Sequence, residues 1–85
     1  MTMRSQYEHF RAELDAHPVR GRSPRGYVEV QRDDRGEINV LIERGAFGQL
    51  THKELTNEVH GALTAALHDY SRTSERLFQR WGGNL

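Results

Sequence analysis

Apolar residues between Thr51 and Trp81 recur at intervals of three, four and seven: Leu55, Val59, Ala62, Leu63, Ala66, Leu67, Tyr70, Leu77, Phe78 and Trp81. At 3.6 residues per turn these positions fall on one stripe, so the spacing predicts a long amphipathic helix over 51–81. Thr51 and Glu54 have the spacing of a capping box at its start, with Leu50 placed to staple against Leu55. Gly82 and Gly83 supply a stop. A helix of 31 residues is about 46 Å long, more than a small sheet can cover, so part of it is expected to project. Its apolar end, Leu77, Phe78 and Trp81, then packs on another helix of the chain or on a second subunit.

The pattern before residue 51 changes period twice. Tyr7, Phe10 and Leu14 keep helical spacing and predict a helix over 3–16, with Ser5 as a cap, Met3 on the same face and Pro18 ending it. Val19 to Gly26, punctuated by Gly21, Pro24 and Gly26, fits a short edge strand over about 19–22 or a flexible loop equally well. Two alternating runs follow, about 27–32 and 37–43. Val28 and Val30 share one face of the first, and Ile38, Val40 and Ile42 share one face of the second. Asp33-Asp34-Arg35-Gly36 joins them as a turn, so they predict a β-hairpin. Leu41 breaks the alternation on the outward face, either as a subunit contact or as one exposed leucine. Gly45, Ala46, Phe47 and Gly48 connect to the long helix. The whole reads as one α+β domain over 1–85, with a small antiparallel sheet packed on a long C-terminal helix.

Composition narrows the function classes. A chain of 85 residues buries a limited share of its surface, and oligomerisation is a common way to complete such a core. There is no cysteine, hence no disulfide framework and no thiolate metal site. No apolar run follows Arg4 or approaches the length of a membrane span, so a cytoplasmic chain is expected. Twelve basic and twelve acidic residues cancel, which argues against an overall field for polyanions. The charges are nevertheless uneven. Residues 1–26 carry five arginines against three acids, and Arg72, Arg76 and Arg80 face Glu75 alone. Arginine outnumbers lysine eleven to one, which suits phosphate forks and also follows from a GC-rich genome.

The usual signatures of chemistry are missing. His60 and His68 lie eight residues apart, about 80° out of register, so they cannot share a metal ion within one chain. Thr64 and His68 are helix neighbours beside Asp69 and Ser71, but no strained elbow or oxyanion loop accompanies them. The glycines match neither a P-loop nor a dinucleotide fingerprint. No enzyme activity, metal or cofactor is therefore expected. Arg72, Arg76 and Arg80 recur every four residues and line one face of the last helical turns. They form a solvated face or a strip that tracks phosphates.

The element order carries a resemblance. Val19-x-Gly21-x-Ser23-x-x-Gly26-x-Val28-x-Val30, then Gly36-x-Ile38-x-x-Leu41-Ile42, then Leu55-x-x-x-Val59-x-x-Ala62-Leu63 followed by Ala66, resembles the YbaB/EbfC family of bacterial nucleoid-associated proteins. The resemblance implies an α-β-β-β-α fold and an intertwined homodimer whose helices project as arms. It also implies binding of double-stranded DNA with little sequence preference, on the nucleoid. Three features depart from the family: a shorter first helix without lysine, a glycine-rich run reduced to Ser23-Pro24-Arg25-Gly26, and a last helix that runs on to Trp81. On this chain the expected phosphate contacts are Arg20, Arg22, Arg25, Arg72, Arg76 and Arg80. The expected dimer or partner interface is Val59, Leu63, Leu67, Tyr70, Leu77, Phe78 and Trp81. The alternative is an adaptor of the same fold that docks another protein through the end of the long helix. The arginine-rich composition is shared with actinobacterial relatives of the family, and such adaptors would be linked to specialised secretion systems.

Overall fold

The computed structural model describes residues 3–81, in the order α1 (Met3–Ala16), β1 (Val19–Arg22), β2 (Val28–Arg32), β3 (Ile38–Ile42), α2 (Ala46–Gln49) and α3 (His52–Trp81). The α-β-β-β-α order is the one the hydrophobic pattern predicts, and Val19–Arg22 resolves as a strand. The one addition is α2, a single turn inside the connector, where Leu50 N–H donates to the Ala46 carbonyl at 2.9 Å. The Gly82–Gly83 stop and the side chains of Met3, Ser5 and Trp81 lie outside the described residues.

The start of α3 is the capping box read from the sequence. Thr51 N–H donates to Glu54 Oε1 at 2.8 Å, and Glu54 N–H donates to Thr51 Oγ1 at 3.1 Å. Two amide groups at this end are thereby satisfied locally, which fixes where the long helix begins.

The sheet is antiparallel throughout, in the order β1-β2-β3. Arg20 faces Gln31 in the first pairing and Val30 faces Val40 in the second. The β2–β3 turn closes through the Asp33 carboxylate, which accepts the N–H groups of Arg35 and Glu37 at 2.9 Å each. Gly36 sits at φ 84°, where a side chain would be strained.

Helix α3 crosses the inner face of this sheet over β1 and β2. Val19, Val28, Val30, Ala62 and Ala66 form the buried centre, with Tyr27, Ile42, Leu55 and Val59 packed around it. Small residues bring the helix unusually close. A methyl group at Gly21 would stand 2.1 Å from the Ala66 nitrogen and 2.4 Å from the Ala62 carbonyl oxygen, so strand and helix meet backbone to backbone. Among the described residues, strand β3 is covered only at its Ile42 end. Ile38 and Val40 occupy the expected inner row but remain 66% and 50% exposed. Alternation fixes which way a side chain points, not whether anything lies above it.

The far half of α3 is partnered by α1, which runs antiparallel to it. Phe10 and Phe78 meet edge to face at 6.3 Å, and Leu14, Thr73 and Leu77 are buried in this part of the structure. The sheet therefore covers one half of the long helix and α1 the other. The result is elongated, 56 × 21 × 14 Å, with a radius of gyration of 16.4 Å. A compact chain of this length would have about 12 Å.

The Gly21 contact sets a stability test. Gly21→Ala should lower the urea unfolding midpoint, with a loss of about 2 kcal/mol or more, because neither backbone can move away without opening the core. Gly48→Ala, where the added methyl meets nothing within 4 Å, should change stability by less than about 1 kcal/mol.

Candidate interaction surfaces

The six arginines fall into two groups. Arg20 and Arg22 lie on the exposed outer face of β1, and Arg25 lies in the β1–β2 loop beside the start of α3. Arg72, Arg76 and Arg80 lie at the opposite end of α3. From Glu54, which Arg25 contacts, to Arg76 the helix rises about 33 Å. One chain therefore does not bring all six onto one strip.

Each of the six has an intramolecular partner. Arg20 Nη2 meets Glu29 Oε1 at 3.0 Å, Arg25 meets Glu54 at 3.4 Å, Arg72 meets Asp69 at 3.7 Å, and Arg80 meets Glu13 at 3.5 Å. Arg25 also stacks over the Tyr27 ring at 5.4 Å. Arg22 reaches the Gly26 carbonyl at 3.5 Å, and Arg76 donates to His17 Nε2 at 3.1 Å. Glu13 lies on α1 and His17 directly follows it, so Arg76 and Arg80 flank the groove between the two arm helices. The side chains of Arg72 and Arg80 stay 77% and 66% exposed. Ion pairs this exposed contribute little and exchange readily for another anion.

Two carboxylates, Glu58 and Asp69, tie the surfaces to the core. Glu58 is buried on α3, accepting from Ser23 Oγ at 2.8 Å and from the Tyr27 N–H at 3.4 Å. Ser23 Oγ in turn accepts the Val28 N–H at 3.0 Å. This chain of bonds locks the β1–β2 loop to the helix. Its signal was present in the sequence as a charged residue inside the apolar stripe, between Leu55 and Ala62. Asp69 accepts the Arg20 backbone N–H at 2.9 Å and also pairs with Arg72, joining β1 to the root of the arm. No local pattern marks that contact.

The expected interface residues divide in the same manner. Val59 packs into the sheet core, and Leu77 is buried where α1 and α3 run side by side. Leu63, Leu67, Tyr70 and Phe78 are exposed large apolar residues. The first three stand beside an apolar groove of about 190 Å³ that also takes in Val19, Val30, Ile38, Ala66 and Arg32. The Arg32 Nη1 atom is enclosed without a hydrogen-bond acceptor among the described residues. No three metal-ligating side chains converge among the described residues, and no helix there is long and apolar enough to cross a membrane.

Two carboxylates are held below their ordinary value of 4.5. For Glu54 the main cause is the Thr51 backbone N–H, followed by the Thr51 hydroxyl; for Glu29 it is the Arg20 guanidinium, followed by Gln31. Both depressions favour the ionised folded state. The stability they supply is therefore complete above pH 4.5 and is lost as pH falls through the lower folded-state values. Thermal unfolding followed from pH 7 to pH 3 should show the midpoint falling below pH 4.5. Glu54→Gln, whose amide oxygen still accepts the Thr51 N–H, should show a shallower fall.

No protein-family model matches the chain, and no curated protein is significantly similar to it.

Proposed function

We propose that this chain is a homodimeric DNA-binding protein of the YbaB/EbfC type, which grips the phosphate backbone of duplex DNA with its α1–α3 arms and reads little or no sequence. The reading rests on one observation above others. Arg72, Arg76 and Arg80 stand in a row on a projecting arm, and the carboxylate pairs of Arg72 and Arg80 are exposed and weak. A phosphate offers the same fork a stronger acceptor and releases condensed counterions as it binds. Nothing in this row is placed to reach base edges in a defined pattern, so binding is to the backbone. Arg20, Arg22 and Arg25 serve the sheet and its loop first, and contribute less. Such a protein works in the cytoplasm, on the nucleoid.

A second reading keeps the fold and changes the ligand. Tyr7 and Phe78 are exposed on the same arm, and the chain carries no net charge. Those features suit an adaptor that docks another protein.

Titration of duplex DNA at several salt concentrations separates the two. DNA binding predicts affinity that falls steeply as salt rises from about 50 to 200 mM, with a log–log slope near −0.9 per phosphate neutralised. Replacing Arg72, Arg76 and Arg80 together by Ala should flatten that slope, whereas replacing Arg20 and Arg22 should change it little. Absence of binding at low salt, joined to stoichiometric capture of one protein that Phe78→Ala abolishes, would establish the adaptor instead.

A further inference from the structure

We infer that His17 belongs to the phosphate-binding surface of the arm. Its ring takes up a proton when Arg76 lets go of it for a phosphate, so the grip on DNA strengthens as pH falls. This rests on the DNA reading of the proposed function, and adds to it a residue and a regulation that the arginine row alone does not supply.

The backbone fixes where this histidine stands. His17 directly follows α1, and its N–H donates to the Leu14 carbonyl at 3.3 Å, which closes the last turn. Pro18 then keeps the helix from continuing. The buried residues Leu14 and Val19 anchor the chain on either side. His17, half-buried, is thereby held against the far half of α3, in a groove of about 310 Å³ lined by Glu13, Ala16, His17, Arg76, Leu77 and Arg80.

The contact with Arg76 defines the charge of the ring. Arg76 Nη2 and His17 Nε2 are 3.1 Å apart. A guanidinium has hydrogens to give and no lone pair to accept with, so Nε2 is the acceptor. The ring is then neutral, with its one hydrogen on Nδ1. A proton added at Nε2 would set two donors and two positive charges face to face, and the contact would be lost. An anion reverses this. A phosphate oxygen at the mouth of the groove accepts from Arg76 and from a protonated Nε2 together, so a repulsion becomes a clamp of two charged donors. Each groove that closes on a phosphate in this way takes one proton from solvent onto Nε2.

The surrounding charges suit the role. Glu13 on α1 and Arg80 on α3 face each other across the same groove at 3.5 Å. Glu13 and the carbonyl end of α1 favour a positive ring, whereas Arg76 and Arg80 oppose it. A phosphate held by the two arginines offsets that opposition. The sheet contributes no lining residue to the groove, and Arg72, one turn before Arg76, is engaged with Asp69. Among the lining residues His17 alone is of a type that changes charge between pH 5 and 8. His9 on α1 and His68 on α3 do not line the groove and serve as controls.

The test is fluorescence anisotropy of a labelled duplex, titrated with the full chain at fixed low salt from pH 8 to pH 5.5. The unaltered chain should bind at least about tenfold more tightly at pH 5.5 than at pH 8, the change that follows when a bound anion raises the proton affinity of a neighbouring base tenfold. His17→Gln, whose amide oxygen still accepts from Arg76 but which cannot become charged, should lose most of that gain. His17→Lys, charged throughout, should bind tightly at both ends of the range with no gain between them. His9→Gln and His68→Gln should keep the profile of the unaltered chain. Circular dichroism checks that the variants fold alike. An unaltered chain that binds DNA with a flat profile, or a His17→Gln chain that keeps the gain, would overturn the part given to His17 and leave DNA binding standing. An unaltered chain that binds duplex DNA nowhere in the range would remove the DNA reading and this inference together.

Discussion

A single helix is too narrow to roof three strands. Helix α3 lies over β1 and β2, where Gly21, Ala62 and Ala66 allow backbone to approach backbone, and that closeness draws it away from β3. The placement has three consequences. Ile38 and Val40 of β3 are left half exposed or more, Leu63, Leu67 and Tyr70 of α3 are exposed among the described residues, and the helix outruns the sheet so far that α1 packs on its other half. The core cluster between α3 and the sheet is correspondingly small, five buried residues of which two are alanines. Small domains of this kind commonly complete their core by association.

What holds the described half together is a set of polar ties across the elements rather than hydrophobic volume alone. The Ser23–Glu58 bond joins the β1–β2 loop to α3 in a buried place, where losing one partner strands the other. Asp69 holds β1 at the point where the sheet-covered half of α3 gives way to the α1-covered half. The arm that carries Arg72, Arg76 and Arg80 is thus rooted in the sheet. Its own seam is mixed: Phe10 and Phe78 touch ring to ring, while Glu13, His17, Arg76 and Arg80 meet at the polar rim.

Much of this fold was legible in the sequence because its signals are local. The capping box at Thr51 and Glu54, the Asp33–Gly36 turn and the two periodicities each depend on residues within a turn or a strand of one another. The illegible parts depend on long-range placement. Nothing in the order Ile38-x-Val40-x-Ile42 says whether a helix lies above it, and the stripe of α3 reads as one face although it serves as two. The arginines were legible as a row on α3, but their pairing with Glu29, Glu54, Asp69 and Glu13 was not, since three of those four contacts cross between elements. Leu77 and Val59 look like interface residues on the same footing as Leu63 and Leu67, and only packing tells them apart.

The account depends on a second copy completing the core, and the dependence of stability on protein concentration measures that most directly. If folding and pairing are linked, a hundredfold rise in protein concentration should raise the apparent stability by roughly 2–3 kcal/mol and shift the unfolding midpoint upward. A midpoint that stays fixed across that range, with fully cooperative unfolding of a single chain, would contradict the account.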